Sequence, residues 1–170
     1  GGVPGLVAAN PGLQKSVFGA VFPVGLMLVV IAGAELFTGN TATCIPAVLG
    51  GRISWASVAR NWVFSYLANF AGALFVAYFL TFLTGLLLKD PWLSSIIAIA
   101  EVKTSQAFVP LLLKAVGCNW LVCLAVWLAV SADDVAGKVA GIWFPIMAFV
   151  TIGYEHSVAN MFFIPAGMWY

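Results

Sequence analysis

Four stretches of this sequence stay apolar over lengths that cross a lipid bilayer, and this constrains the fold more than any other feature. A hydrocarbon core of about 30 Å takes about 20 helical residues. The first stretch runs from Lys15 to Ala34 and resumes after a break towards Leu49. The second covers Val58–Leu88, the third Thr104–Val130, and the fourth Lys138–Ile152, again with a continuation. Turn and charge signals separate them: Gly50-Gly51-Arg52, Lys89-Asp90-Pro91 and Ser131-Ala132-Asp133-Asp134. The expected class is an all-α, multi-pass integral membrane protein, with one transmembrane domain over residues 1–170.

Composition agrees. Apolar residues make up 63% of the chain and charged residues 8%, against about 45–50% and about 25% in soluble domains. A water-soluble fold of this size has too little interior for that surface, so lipid is the solvent for most of it. The net charge of +1 leaves no basic stripe for nucleic acid. Cys44, Cys118 and Cys123 all sit within apolar stretches and read as buried thiols rather than a disulfide framework. One histidine and scattered cysteines supply no metal-ligand spacing, and no phosphate-binding glycine loop is present, so neither cofactor nor enzyme is expected. Ser157, His156 and Glu155 are adjacent and cannot converge on one substrate atom as a triad.

The chain has no initiator Met and stops at Trp169-Tyr170 directly after an apolar run, so it reads as an interior portion of a longer protein. The connection after the first stretch holds Arg52 and Arg60 with no acid, whereas the others carry Asp90, Glu101, Asp133 and Asp134. Short cytoplasmic loops favour Lys and Arg, which makes the Arg52 side the expected cytoplasmic or stromal face.

A repeat carries the functional information. Gly33-Ala34-Glu35-Leu36-Phe37-Thr38-Gly39-Asn40 and Gly153-Tyr154-Glu155-His156-Ser157-Val158-Ala159-Asn160 both read G-x-E-x-x-x-x-N, and each follows a segment opening near Phe-Pro, at Phe22-Pro23 and Phe144-Pro145. Two spans lie between the copies, so the repeats cross the membrane in opposite directions. A break inside a span frees backbone groups that hydrocarbon cannot satisfy, so it persists only beside protein or a wet path. Inverted repeats with matched breaks place a transport site between them. Glu35 and Glu155 are expected to accept from freed backbone N–H groups, and Asn40 and Asn160 to cap restarting half-helices. His156, an ionisable group at such depth, is a functional candidate by default. Thr38 offers a hydroxyl from the opposite break. Lys103 and Lys114 remain equal candidates for a pore-side cation.

Two segments resemble the signature patterns of the formate/nitrite transporter family: Ile31-Ala32-Gly33-Ala34-Glu35-Leu36-Phe37-Thr38-Gly39, and Ala115-Val116-Gly117-Cys118-Asn119-Trp120-Leu121-Val122-Cys123-Leu124-Ala125. The stretch at 153–162 is similar to a third. The resemblance implies an aquaporin-like hourglass protomer with two broken helices, of which this chain supplies four of six expected spans, assembled as a homopentamer. It implies a pore for a small monovalent anion, with Phe22 and Phe149 forming one constriction and Leu26, Leu36 and Val122 the other; Phe37, beside Leu36, is counted with them. Thr38 and His156 resemble the polar pair between the constrictions, Lys103 the vestibule lysine in preference to Lys114, and Asn119 and Asn160 the pore asparagines. The opening segment Gly1–Leu13, together with Glu35–Thr41, resembles the algal branch, which implies nitrite or bicarbonate movement across the chloroplast envelope, the plasma membrane being the alternative. A neutral-solute channel and a non-conducting membrane subunit stay open beside the anion pore.

Overall fold

The computed structural model describes residues 5–170, and among these the regular structure is helical throughout. The first four residues of the segment likened to the algal branch lie outside the described residues. Short α1 (Leu6–Ala9) leads into α2 (Pro11–Val21), which starts where Asn10 Oδ1 accepts from Leu13 N–H at 3.0 Å and Pro11 takes the first helical position. Pro23 bends the path into α3 (Val24–Ala32), and together these make a 22-residue apolar span. After a break comes α4 (Phe37–Leu49). The next span, α5 (Trp55–Phe75), continues as π-helical turns over Val76–Phe82. It starts earlier than Val58 because Ser54 caps it, Oγ accepting from Ser57 N–H at 3.1 Å.

The connection expected between the second and third spans is itself a helix, α6 (Trp92–Thr104). At 13 residues it is too short to cross the bilayer. It holds its place by packing Ile96 and Ala100 against the last helix, where Gly167 lies so close that a Cβ would meet Ala100 Cβ at 2.5 Å. Thr104 therefore ends α6, and the third span, α7, runs Phe108–Ser131. The fourth, α8 (Val135–Ile152), begins at a cap in which Asp134 Oδ1 accepts from Gly137 N–H at 2.7 Å. After the second break, α9 covers Ser157–Met168.

The two breaks are built alike. Gly33 (φ 78°) and Gly153 (φ 90°) end α3 and α8 in the left-handed conformation, which closes the last turn onto Val29 and Phe149 carbonyls. Three non-helical residues follow each glycine before the chain turns helical again at Phe37 and Ser157. α2 lies against α8 with Gly19 beside Thr151 and Phe22 beside Phe149, and two spans lie between the copies, so the chain runs in opposite directions through them. Gly33→Ala and Gly153→Ala are each expected to cost about 1–2 kcal/mol, since an L side chain is strained in this region. That corresponds to roughly 2–8 °C in Tm. Gly72→Ala, in an open position on α5, is the control that should leave Tm level or higher.

The packed interior is a seam of Leu26, Cys118, Val122, Ala125, Ile142, Ile146 and Phe149 between α3, α7 and α8. The outside is apolar: Phe64, Trp120 and Phe144 are 67%, 69% and 71% exposed. Large apolar side chains facing outward along four spans belong in lipid or against further protein.

Candidate functional site

The breaks bring together residues 118 positions apart. Thr38 Oγ1 lies 3.0 Å from His156 Nε2, and the two side chains are 4% and 9% exposed. They occupy different places in the repeat. Thr38 sits in the first turn of α4, not in the break, whereas His156 is the residue just before α9. His156, rather than Asn160, caps the restarting helix: its Nδ1 accepts from Ala159 N–H at 3.0 Å. With Nδ1 an acceptor, the neutral ring carries its proton on Nε2 and donates it to Thr38. The Thr38 hydroxyl hydrogen is then free to donate elsewhere.

Five of the apolar candidates gather around one cavity of about 300 Å³: Phe22, Leu26, Leu36, Val122 and Phe149, with His156 in its wall. At one end Phe22 meets Phe149 edge-on, centroids 5.8 Å apart, and Phe149 stacks on the His156 ring, also at 5.8 Å. This aromatic end borders a cavity of 180 Å³ that includes Lys103 and Glu155. At the other end Leu26 and Leu36 are shared with a cavity of 290 Å³ that holds Glu35 and Asn40. Phe37 stands apart from the other five. It starts α4 and lies edge-on to Tyr66, centroids 5.2 Å apart. There it lines a 370 Å³ cavity with Thr38, Thr41, Asn119 and His156, on the far side of the Thr–His pair.

The polar supports differ from those the sequence suggested. Among the described residues neither Glu35 nor Glu155 accepts a backbone N–H through its carboxylate; each takes side-chain donors instead. Glu155 receives Lys103 Nζ at 2.6 Å, Gln106 Nε2 at 2.9 Å and Asn160 Nδ2 at 3.0 Å. Lys103 is therefore an ion-paired, part-buried group, with its ammonium 5.7 Å from the centre of the Phe163 ring. Glu35 receives Asn40 Nδ2 at 2.5 Å, and that amide also donates to Asn61 Oδ1 at 2.9 Å. The same carboxylate–asparagine bond, five residues long, thus recurs in both motifs.

Asn69 satisfies the first break: its Oδ1 accepts from Phe37 N–H at 2.8 Å and its Nδ2 donates to the Glu35 carbonyl at 3.0 Å. The physical reason is reach. At the first break the neighbouring helix α5 reaches the backbone donor instead. Asn119 donates to Thr41 Oγ1 at 3.2 Å, which donates in turn to the Thr38 carbonyl at 2.7 Å. Asn61, Asn69, Thr41 and Gln106 lie outside the repeated motif and the signature segments that point to the site. Asn61, Ser65 and Asn69 recur every fourth residue within an apolar span, which puts polar groups on one helix face. That stripe is the signal that could have found two of them.

Two interrupted helices that bring Thr38 to His156 beside an apolar cavity are the arrangement of an inverted-repeat membrane transporter or channel. The chain belongs to the formate/nitrite transporter family, whose pattern matches residues 1–170. This is a family of transporters and channels, not of enzymes. The chain is 54% identical to a formate channel of Bacillus thuringiensis, over 87% of this chain and 57% of that one. It is 42% identical to a nitrite transporter of Salmonella typhimurium, over 89% and 56%. Among solved structures it resembles a pentameric formate channel with formate bound, with a TM-score of 0.82 and 34% identity over 93% of this chain and 62% of the other. The chain thus spans about six-tenths of the length of these two bacterial relatives.

Proposed function

We propose that this chain forms the conducting core of a channel for small monovalent anions, with formate, nitrite and bicarbonate as the candidates. The observation that carries this is the 3.0 Å contact of Thr38 with His156 beside an apolar cavity bounded at both ends. An anion at an apolar constriction loses hydration worth several kcal/mol or more. Hydrogen-bond donors between the constrictions offset part of that loss, and Thr38 and His156 are the donors at hand. A proton taken up before the Phe22–Phe149 pair would turn the anion into its neutral acid and remove most of the barrier. Such a proton would leave from Nε2 only after Nδ1 takes one up from solvent and gives up its bond from Ala159 N–H, which returns the ring to its neutral form.

The likeness to a pentameric channel supports a homopentamer with one pore per protomer. Residues 1–170 then supply four of its six spans, with the Arg52 side in the cytoplasm or stroma. The membrane follows from the family and the apolar exterior. A chloroplast-envelope location rests on the algal likeness alone, and imaging the tagged full-length protein in its own cell separates envelope from plasma membrane.

Flux measured from pH 5 to 8 tests the role of the histidine. His156→Asn keeps a donor and a cap of similar reach but cannot titrate. It is expected to pass anion with a flattened pH dependence, at a rate lowered about 10- to 100-fold. A parental pH profile in this variant would remove histidine from the proton step. The apolar lining of the central cavity also suits a neutral solute, for which liposome swelling in glycerol is the discriminating assay.

A further inference from the structure

Of the segment Ala115–Ala125 on α7, only Val122 lines the central cavity. Just ahead of it, Gly117, Cys118 and Asn119 lie between the two breaks. Cys118 is buried, and with Val122 one turn on it faces the packed seam. Neighbouring residues on a helix of 3.6 residues per turn point about 100° apart. Gly117 and Asn119 therefore flank that buried face on either side. Gly117 looks onto the second break. A Cβ there would meet the Tyr154 ring at Cε2, Cζ and Cδ2, at 2.7, 2.8 and 3.2 Å. Tyr154 directly follows the left-handed Gly153, its N–H donates to the Phe149 carbonyl at 3.0 Å, and His156 lies two residues on. Asn119 looks onto the turn that carries Thr38. Its Nδ2 donates to Thr41 Oγ1 at 3.2 Å, and that hydroxyl donates to the Thr38 carbonyl at 2.7 Å. One helix thus touches both sides of the 3.0 Å contact between Thr38 and His156.

We propose that α7 is the template that sets this distance, and that Gly117 is its positioning residue for His156. Asn119 holds the Thr38 side through Thr41. On the other side the missing side chain of Gly117 is the notch that takes the Tyr154 ring. Carbon atoms prefer separations of about 3.5–4.0 Å, so a methyl group at Gly117 has to drive the ring back from 2.7 Å. The ring is packed against the apolar seam, so it passes the push to its own backbone. A functional contact tolerates displacements of only about 0.5 Å. The effect on flux rests on the permeation reading above; the geometry does not.

The test uses the full-length protein in proteoliposomes, with two readouts: formate uptake from pH 5 to 8, and the rate of His156 carbethoxylation followed by peptide mass. Gly117→Ala is expected to lower the maximal uptake rate about tenfold, to flatten its pH dependence, to keep KM within about twofold, and to speed modification of His156. In a Tyr154→Ala background the same methyl group should change neither readout, because the ring it strikes is gone. Gly141→Ala also crowds α7, at 3.0 Å from Leu128 Cβ, but about 16 Å further along the helix. It should keep the parental pH dependence and modification rate. Parental values of both in Gly117→Ala overturn the proposal. An equal effect with and without the Tyr154 ring, including a fold lost in both backgrounds, overturns it too, as do the same changes in Gly141→Ala. Faster modification of His156 in Gly117→Ala, with no saturable uptake by the parent, keeps the template and sinks the permeation reading.

Discussion

Lys103→Met is expected to remove anion flux and to destabilise the protein by about 3–5 kcal/mol, the range for breaking a buried ion pair from one side. The cause is what the substitution leaves behind. The Glu155 side chain is 9% exposed, and without Lys103 its carboxylate keeps only the amides of Gln106 and Asn160. A buried charge without a counter-ion costs more than its remaining hydrogen bonds return. Glu155 directly precedes His156, so any rearrangement to relieve that charge moves the histidine cap on α9 and the 3.0 Å contact with Thr38. The double variant Lys103→Met/Glu155→Gln removes the lone charge and should recover most of the lost Tm. Thermal melts of the detergent-solubilised protein, paired with uptake by the same preparations, check both effects. A single variant as stable as the parent would mean that the ion pair is not what fixes this break.

Gly19→Leu is expected to part α2 from α8 and make the pore leaky. A Cβ on Gly19 would lie 2.4 Å from Thr151 Oγ1 and 3.0 Å from the Met147 carbonyl oxygen. The threonine hydroxyl can rotate away, but the carbonyl belongs to the helix backbone and cannot. Overpacking a tight contact costs about 1–3 kcal/mol and sometimes more, and helices in membranes use small residues to approach this closely. Phe22 is three residues on, one turn along the same helix, and its edge-on contact with Phe149 closes the central cavity. Separating the helices opens that contact. The expected outcome is a lower Tm together with faster, less selective flux, seen as swelling in a larger solute that the parent excludes. Gly19→Ala, with one methyl group, should show a smaller shift in the same direction.

The spans and breaks were legible because their causes are local. Apolar length is read directly from the chain, and the glycines that end α3 and α8 stand at matching places in the repeated motif. The short α6 was not legible. It has Glu101 and Lys103 within 13 residues, lacks the length of a span, and is settled by packing on α9 at Gly167. The repeat pairs Leu36 with His156, not Thr38, so the hydroxyl–imidazole contact could not come from periodicity; the family resemblance supplied it. The donors to Glu35 and Glu155 were not legible for a similar reason. Outside the motifs, Asn69 donates to the Glu35 backbone carbonyl, and Lys103 and Gln106 donate to the Glu155 carboxylate. No local rule names such partners. The same holds for Phe37, which neighbours Leu36 in sequence but faces a different cavity because the chain turns helical between them.

The most direct test of a wet path between Thr38 and His156 is uptake of labelled formate by proteoliposomes holding the full-length protein, with nitrite as competitor and Thr38→Trp as an obstruction. Permeation through this site predicts saturable uptake that nitrite competes and that the tryptophan abolishes while the protein stays folded. Formate uptake unaffected by the tryptophan, or swelling in glycerol with no formate uptake in the parent, would contradict it.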